Sequence, residues 1–190
     1  MKASRSMLYI PGDAPGMIQH APIFGADSVL LDLEDAVALT EKDGARRMVA
    51  RFLKDFDFKD LFVTVRINAA DTEFFEDDLK EIIPCAPEAV RLPKCNGPED
   101  VVSADKRISA IEERCGMRHG AVKIHAMIET ALGLEKAFDT ASASPRVTAL
   151  TIGGQDFTAD MGVRKTKEGR ELFYARCRVA AAAHAAGVGS

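Results

Sequence analysis

The sequence predicts an α/β protein built around a parallel sheet, and three observations carry that expectation. Short apolar, β-branched runs alternate with amphipathic stretches at a spacing of roughly 30 residues, the size of one βα unit. The apolar runs are mostly continuous rather than alternating, as strands covered on both faces require. The stretches between them begin and end on residues that start and stop helices.

In chain order, the first strand reads over residues 6–10 (SMLYI) and gives way to the loop PGDAPGM. Residues 28–33 (SVLLDL) make the second strand, after which Thr40 caps a helix over 41–54 with Asp43 in its first turn. The third strand, 61–67 (LFVTVRI), leads to an acidic helix that Asp71 or Thr72 caps and that runs to Ile83, where Pro84 stops it. After the fourth strand at 89–92 (AVRL), Pro98 opens a helix that reaches Cys115, and Gly116 ends it. The fifth strand covers 122–128 and the sixth 147–152, and an alanine-rich helix over 168–186 ends at Gly187. Two architectures compete for this order, an open doubly wound sheet and a TIM (β/α)8 barrel. A barrel takes about 250 residues, whereas this chain of 190 holds six units and stops where a seventh strand is due. Length alone favours the open sheet. The residues decide otherwise, and the expectation is a single TIM barrel domain over 1–190, truncated at its C-terminus after the first six βα units.

Composition narrows the function classes. With 47% hydrophobic and 28% charged residues the chain is an ordinary globular one, which excludes disordered, collagen-like and disulfide-scaffold readings. A formal net charge of −4 gives no general attraction to nucleic acid or anionic lipid, so neither is expected as a partner. No apolar run approaches the roughly 20 residues that cross a bilayer, and the N-terminus lacks a signal-peptide cleavage pattern. The expected location is cytoplasmic. Cys85, Cys95, Cys115 and Cys177 are widely spaced, with no C-x-x-C pair, which points to free thiols and away from zinc.

In parallel α/β folds the active site lies at the carboxyl ends of the strands. The polar residues at the end of each apolar run are therefore informative: Asp32, Glu34 and Asp35 after the second, Arg66 and Asn68 after the third, Lys94 after the fourth, Glu129 after the fifth, Gln155 and Asp156 after the sixth. Any one such charge is ordinarily a solvated loop residue, but nearly every strand delivers one to the same end. Carboxylates from separate strands, without His or Cys, suit a hard oxygen site of the Mg²⁺ type, and Glu129 with Asp156 is the best pair. Gly153 and Gly154 allow a ligand close to the backbone. Arg66 offers a two-pronged grip on a substrate carboxylate, the alternative being an ion pair with Glu34 or Asp35. A metal and an arginine beside a 2-oxo or 2-hydroxy acid can stabilise the enolate formed in carbon–carbon cleavage. The PGDAPGM loop, with Pro11 and Gly12, is either a phosphate cradle or a plain turn. Arg5 and Lys94 join the substrate-binding set. Asp32, alternating with Leu31 and Leu33, reads as a buried hydrogen-bonded carboxylate, and His125, inside a strand, as structural.

The ordered set RSMLYIPG, GADSVLLDLEDAVALTEKDGARRMV, VRIN, RLPK, MIETALG and GGQDFTADMG resembles the citrate-lyase-beta-like branch of the HpcH/HpaI aldolases over nearly the whole chain. That resemblance implies a TIM barrel, usually a homotrimer, catalysing Mg²⁺-dependent cleavage of an acyl thioester. For citryl thioester, carried by an acyl-carrier subunit alongside an alpha subunit or by CoA, the products are oxaloacetate and the acetyl thioester. It implies Glu129 and Asp156 as metal ligands, Arg66 on the substrate carboxylate, and Glu34 and Asp35 near the metal's waters. The PGDAPGM loop and Arg5 match regions near the thioester carrier. Gln155 departs from the family's usual Glu before the metal Asp, and family members continue well past residue 190. Competing expectations are a stand-alone malyl- or citramalyl-CoA lyase, a catalytically inert partner-binding subunit, and a phospho-receiver-like doubly wound module.

Overall fold

The structure, a computed structural model, describes residues 4–190. Six strands alternate with helices: β1 (Met7–Pro11), β2 (Ser28–Asp32), β3 (Phe62–Arg66), β4 (Ala89–Leu92), β5 (Lys123–Ile128) and β6 (Val147–Ile152). They hydrogen-bond in the order β1-β2-β3-β4-β5-β6. A doubly wound sheet reverses its strand order at a switch point. Strictly consecutive neighbours are instead the order in which a (β/α)8 barrel begins, and they exclude the receiver-like alternative. Among the described residues no helix is long and apolar enough to cross a membrane.

The described residues divide into two compact units, one running to residue 90 and taking in 108–122, the other formed by 91–107 and 123–190. In the first, β1, β2 and β3 pair in parallel, with Pro11 opposite Asp32 and Asp32 opposite Arg66. Every residue of β2 is buried, as a strand covered on both faces must be. Helix α1 (Pro15–Ile18) is a single turn after β1. Helix α2 (Lys42–Asp55) buries Lys42, Ala45, Arg46, Val49 and Ala50, the 3.6-residue stripe of a helix lying on a sheet. Two of those five are cations, and each is held by partners. Arg46 Nε donates to Asp78 Oδ1 of α3 (Phe75–Ile82) at 2.7 Å and its Nη1 to Asp43 Oδ1 at 2.6 Å. The other oxygen of Asp78 accepts from the backbone and side-chain amides of Asn68, at 2.8 and 2.7 Å.

The expected caps of these helices are not used. A tight turn over Leu39–Glu41 precedes α2, so Glu41 rather than Thr40 stands at its N-cap. Thr72 Oγ1 donates back to Ala69 O at 2.7 Å, and α3 begins at Phe75, two residues later than a Thr72 cap implied.

In the second unit β5 and β6 pair in parallel, with His125 opposite Ala149 and Met127 opposite Thr151. Helix α4 (Pro98–Arg114) starts at its proline and is followed by Gly116 at φ +65°, both as expected. Short helices α5 (Ala131–Glu135), α6 (Ala137–Ser142) and α7 (Gly154–Asp160) follow β5 and β6, and α8 (Phe173–Ala185) ends before Gly187 at φ +74°. All four cysteines are free thiols.

His125 is buried on β5, and that burial, aided by the charge of Arg91, pushes its pKa down to about 4. The folded protein therefore refuses a proton that the unfolded chain accepts below about pH 6.5. Stability from this residue is complete above pH 6.5 and is lost as pH falls toward 4, by on the order of 3 kcal/mol. Thermal midpoints measured from pH 7 to 4.5 should fall more steeply in the parent than in His125→Asn; parallel slopes would remove His125 as the cause.

Candidate functional site

Two polar clusters form at carboxyl ends of strands, one in each unit. The first begins with the register that sets the last residues of β2 and β3 side by side. Asp32 is 2% exposed and takes Arg66 Nε and Nη2 on its two oxygens, at 2.7 and 2.5 Å. Glu34 N–H donates to Asp32 Oδ1 at 2.9 Å, which folds the strand-end loop back over the pair. Arg66 Nη1 lies 2.8 Å from Glu34 Oε2 and 3.6 Å from Asp35 Oδ2. Burial disfavours the Arg66 cation, but hydrogen bonding and attraction from Asp32, then Glu34 and Asp35, outweigh it and raise its pKa above the usual arginine range. Glu34 is buried, while the Asp35 side chain is 61% exposed.

Lys42 underpins this loop. Its buried ammonium donates to Leu33 O at 2.7 Å and Glu34 O at 2.5 Å and sits 5.9 Å from the Phe74 ring centre. Burial lowers its pKa, opposed by the charges of Asp32, Asp78, Glu34 and Asp35. Nothing in the sequence singled Lys42 out, since it lies in a helix's first turn where a charge is ordinarily solvated.

Of the two readings of the PGDAPGM loop, the plain turn is the one its hydrogen bonds follow. Gly12 N–H donates to Asp32 O at 2.7 Å, and an added Cβ there would stand 2.8 Å from that same oxygen. Ala14 and Met17 amides donate within the loop. Pro11 and Gly12 thus form a close-packed turn, and the Gly12 amide is not available to cradle a phosphate. Arg5 precedes β1 and pairs with Asp27 Oδ1 at 3.1 Å, holding Asp27 down to about 2 with help from Ser6. It stands two residues before the amino end of a five-residue strand, roughly 20 Å of extended chain from Pro11, so the structure does not bring it to the carboxyl-end cluster. Asn68 is a structural partner of Asp78, bonded through both of its amides.

The second cluster centres on Glu129, which is 2% exposed and follows β5 directly. Thr130 behind it caps α5, accepting from Gly133 N–H at 3.0 Å and donating to Asn96 Oδ1 at 2.5 Å, which fixes the end of the strand. Lys94 N–H donates to Glu129 Oε2 at 2.8 Å. Lys94 itself is exposed and has φ +52°, a left-handed conformation uncommon outside glycine. Gly153, at the end of β6, lies against the Glu129 side chain, and an added Cβ would come within 2.6 Å of Glu129 Cγ. Asp156 is half-buried in the first turn of α7, three residues on, and Gln155 is exposed. Among the described residues no three His, Cys, Asp or Glu side chains gather into a ligand group. Glu129 and Asp156 each offer hard carboxylate oxygens, the kind of donor that a small hard cation takes when water and substrate supply the rest of its shell.

The family model described as HpcH/HpaI aldolase/citrate lyase matches residues 5–190. Citrate lyase subunit beta of Haemophilus influenzae is 40% identical over 188 residues, 99% of this chain and 65% of that protein. An L-malyl-CoA/beta-methylmalyl-CoA lyase of Rhodobacter capsulatus is 33% identical over 178 residues, 91% of this chain and 56% of that one. The chain therefore spans less than two thirds of the length of these curated relatives. Among solved structures, the citrate lyase beta subunit complexed with oxaloacetate and magnesium from M. tuberculosis matches with a TM-score of 0.78 and 28% identity, covering 99% of this chain and 78% of that chain.

Proposed function

The chain belongs to the HpcH/HpaI aldolase/citrate lyase family, and from that premise we propose that it serves a Mg²⁺-dependent carbon–carbon lyase. Its substrate is a citryl thioester, on an acyl carrier or CoA, and its products are oxaloacetate and the acetyl thioester. One observation carries this reading: Glu129 is a buried carboxylate held at a strand end by Lys94 N–H, over a glycine whose missing side chain makes its room. A relative with 28% identity binds oxaloacetate and magnesium, which supports the same assignment.

Glu129 and Asp156 are the residues that would hold Mg²⁺, and the donor chemistry fits, since both offer hard oxygens. When bound, the ion supplies a Lewis acid that stabilises negative charge on substrate oxygen. Arg66 is assigned to the substrate's carboxylate. Asp32 occupies its Nε–Nη2 edge, so an incoming carboxylate meets Nη1, where the exposed Asp35 at 3.6 Å is the easier partner to displace. Glu34 stays buried beside Arg66 and, with Lys42 gripping its carbonyl, keeps the loop in place. Asp35 is assigned to proton transfer through water, a role that suits a carboxylate open to solvent. Lys94 contributes its ammonium to substrate binding. The same reading makes the protein a homotrimer working with alpha and acyl-carrier subunits in the cytoplasm.

The test offers the purified protein citryl thioester or malyl-CoA, with Mg²⁺ or with EDTA, and monitors the oxo acid released. Oxaloacetate from citryl thioester, lost in EDTA and restored by Mg²⁺, is the expected result. Glyoxylate from malyl-CoA alone would transfer the assignment to the malyl-CoA lyases; no cleavage of either with Mg²⁺ present would overturn the lyase reading in favour of an inert partner-binding subunit.

A further inference from the structure

The surroundings of Glu129 hold its carboxylate through the main chain on one flank and through a glycine on the other. Oε2 accepts from the main chain, Lys94 N–H at 2.8 Å. That amide is aimed by the left-handed turn at Lys94, whose φ of +52° costs a residue with a side chain more than it costs glycine. The next amide, Cys95 N–H, donates to Met127 O at 3.0 Å, so the segment is stitched to β5 on the residue before Ile128. On the other flank Gly153 N–H donates to Ile128 O at 3.0 Å and brings the end of β6 against Glu129. A Cβ on Gly153 would stand 2.6 Å from Glu129 Cγ and 2.7 Å from Cδ, and nearer still to Oε1. Gly153 has φ −87°, so the requirement is space rather than backbone handedness. Gly133 closes the frame from behind, where an added Cβ would run into Cys95 O.

We propose that Gly153 and the main chain of Lys94 are positioning elements for Glu129: the amide holds Oε2, and the bare Gly153 leaves the space that the side chain fills, so that together they set the carboxylate where it would serve a divalent cation. This deepens the lyase reading and rests on Glu129 being a metal ligand. The contribution at position 94 belongs to the backbone, distinct from whatever the ammonium does for substrate. Filling the space at 153 displaces the carboxylate from the cation while leaving its chemistry intact.

The experiment is Mg²⁺ titration calorimetry with thermal unfolding on the full chain and five variants. Gly153→Ala should weaken Mg²⁺ binding by about tenfold or more and lower the thermal midpoint. Gly44→Ala, where an added methyl meets nothing within 4 Å, should bind Mg²⁺ as the parent does. Lys94→Ala keeps the amide and should stay within about threefold of the parent; a loss of about tenfold there would move the holding role to the ammonium and overturn the backbone assignment. Adding Gly153→Ala to Glu129→Ala should lower the midpoint no further, because the obstructing side chain is gone. A drop as large as in the parent background would overturn the steric assignment. If Glu129→Ala alone leaves Mg²⁺ binding intact, the metal reading falls while the thermal comparison still decides the cradle. If Glu129→Ala abolishes binding and Gly153→Ala does not weaken it, the cradle alone falls.

Discussion

Glu129→Gln is expected to remove Mg²⁺ binding and to lower metal-dependent turnover by about a thousandfold, with the fold intact. The amide side chain keeps an oxygen that can accept from Lys94 N–H, so the local hydrogen bond at 2.8 Å survives. What disappears is the negative charge, and a hard cation loses most of its attraction to the site with it. Loss of a Lewis acid is worth several kcal/mol of transition-state stabilisation, which at about 1.4 kcal/mol per tenfold gives that magnitude. Calorimetry measures the Mg²⁺ affinity, steady-state cleavage the turnover, and a thermal midpoint within about 2 °C of the parent shows that folding is not the cause. Unchanged affinity in Glu129→Gln would remove Glu129 from the metal shell.

The second large effect belongs to stability. Arg66→Ala strips the cation from a cluster in which Asp32 and Glu34 are 2% and 5% exposed, leaving two buried carboxylates without their main counter-charge. Removing one member of such a buried pair costs about 3–5 kcal/mol. For a chain of this size that lowers the melting midpoint by about 10 °C. Arg66→Lys should recover only part of it, since an ammonium cannot meet both oxygens of Asp32 with two parallel donors. Differential scanning calorimetry decides the matter: a midpoint in Arg66→Ala within about 2 °C of the parent would mean that the network contributes little. Because Arg66 is also assigned to substrate, turnover of the lysine variant at a temperature where it is fully folded separates the two roles.

Strands were legible in the sequence because parallel strands buried on both faces write continuous apolar runs; β4, buried throughout, begins and ends where its run does, and so does β6, although four of its six residues are only half-buried. Helix α2 was legible from its 3.6-residue stripe, and the ends of α4 and α8 from Pro98, Gly116 and Gly187. Helices α5, α6 and α7 were not, since five to seven residues are too few to show a period. The helix starts misled because a threonine hydroxyl is equally content with a nearby carbonyl, as Thr72 is with Ala69 O. In the site, Asp32 and Arg66 were readable as residues that end neighbouring strands in register. Lys42, Arg46 and Asp78 were not, because neither an ammonium buried on main-chain carbonyls nor an ion pair joining two helices leaves a local trace. The handedness of the backbone at Lys94 and the closeness of Gly153 to Glu129 are likewise products of packing, and only the glycines hinted at the second.

The amide that steadies Glu129 has a consequence for how this protein can drift. A hydrogen bond donated by the main chain is indifferent to the letter written above it: every residue except proline carries the same N–H. Position 94 can therefore exchange lysine for glycine or asparagine, residues at ease in a left-handed turn, without loosening the carboxylate beside it. A comparison of side chains alone would overlook this support, because what it requires at position 94 is the curl of the chain.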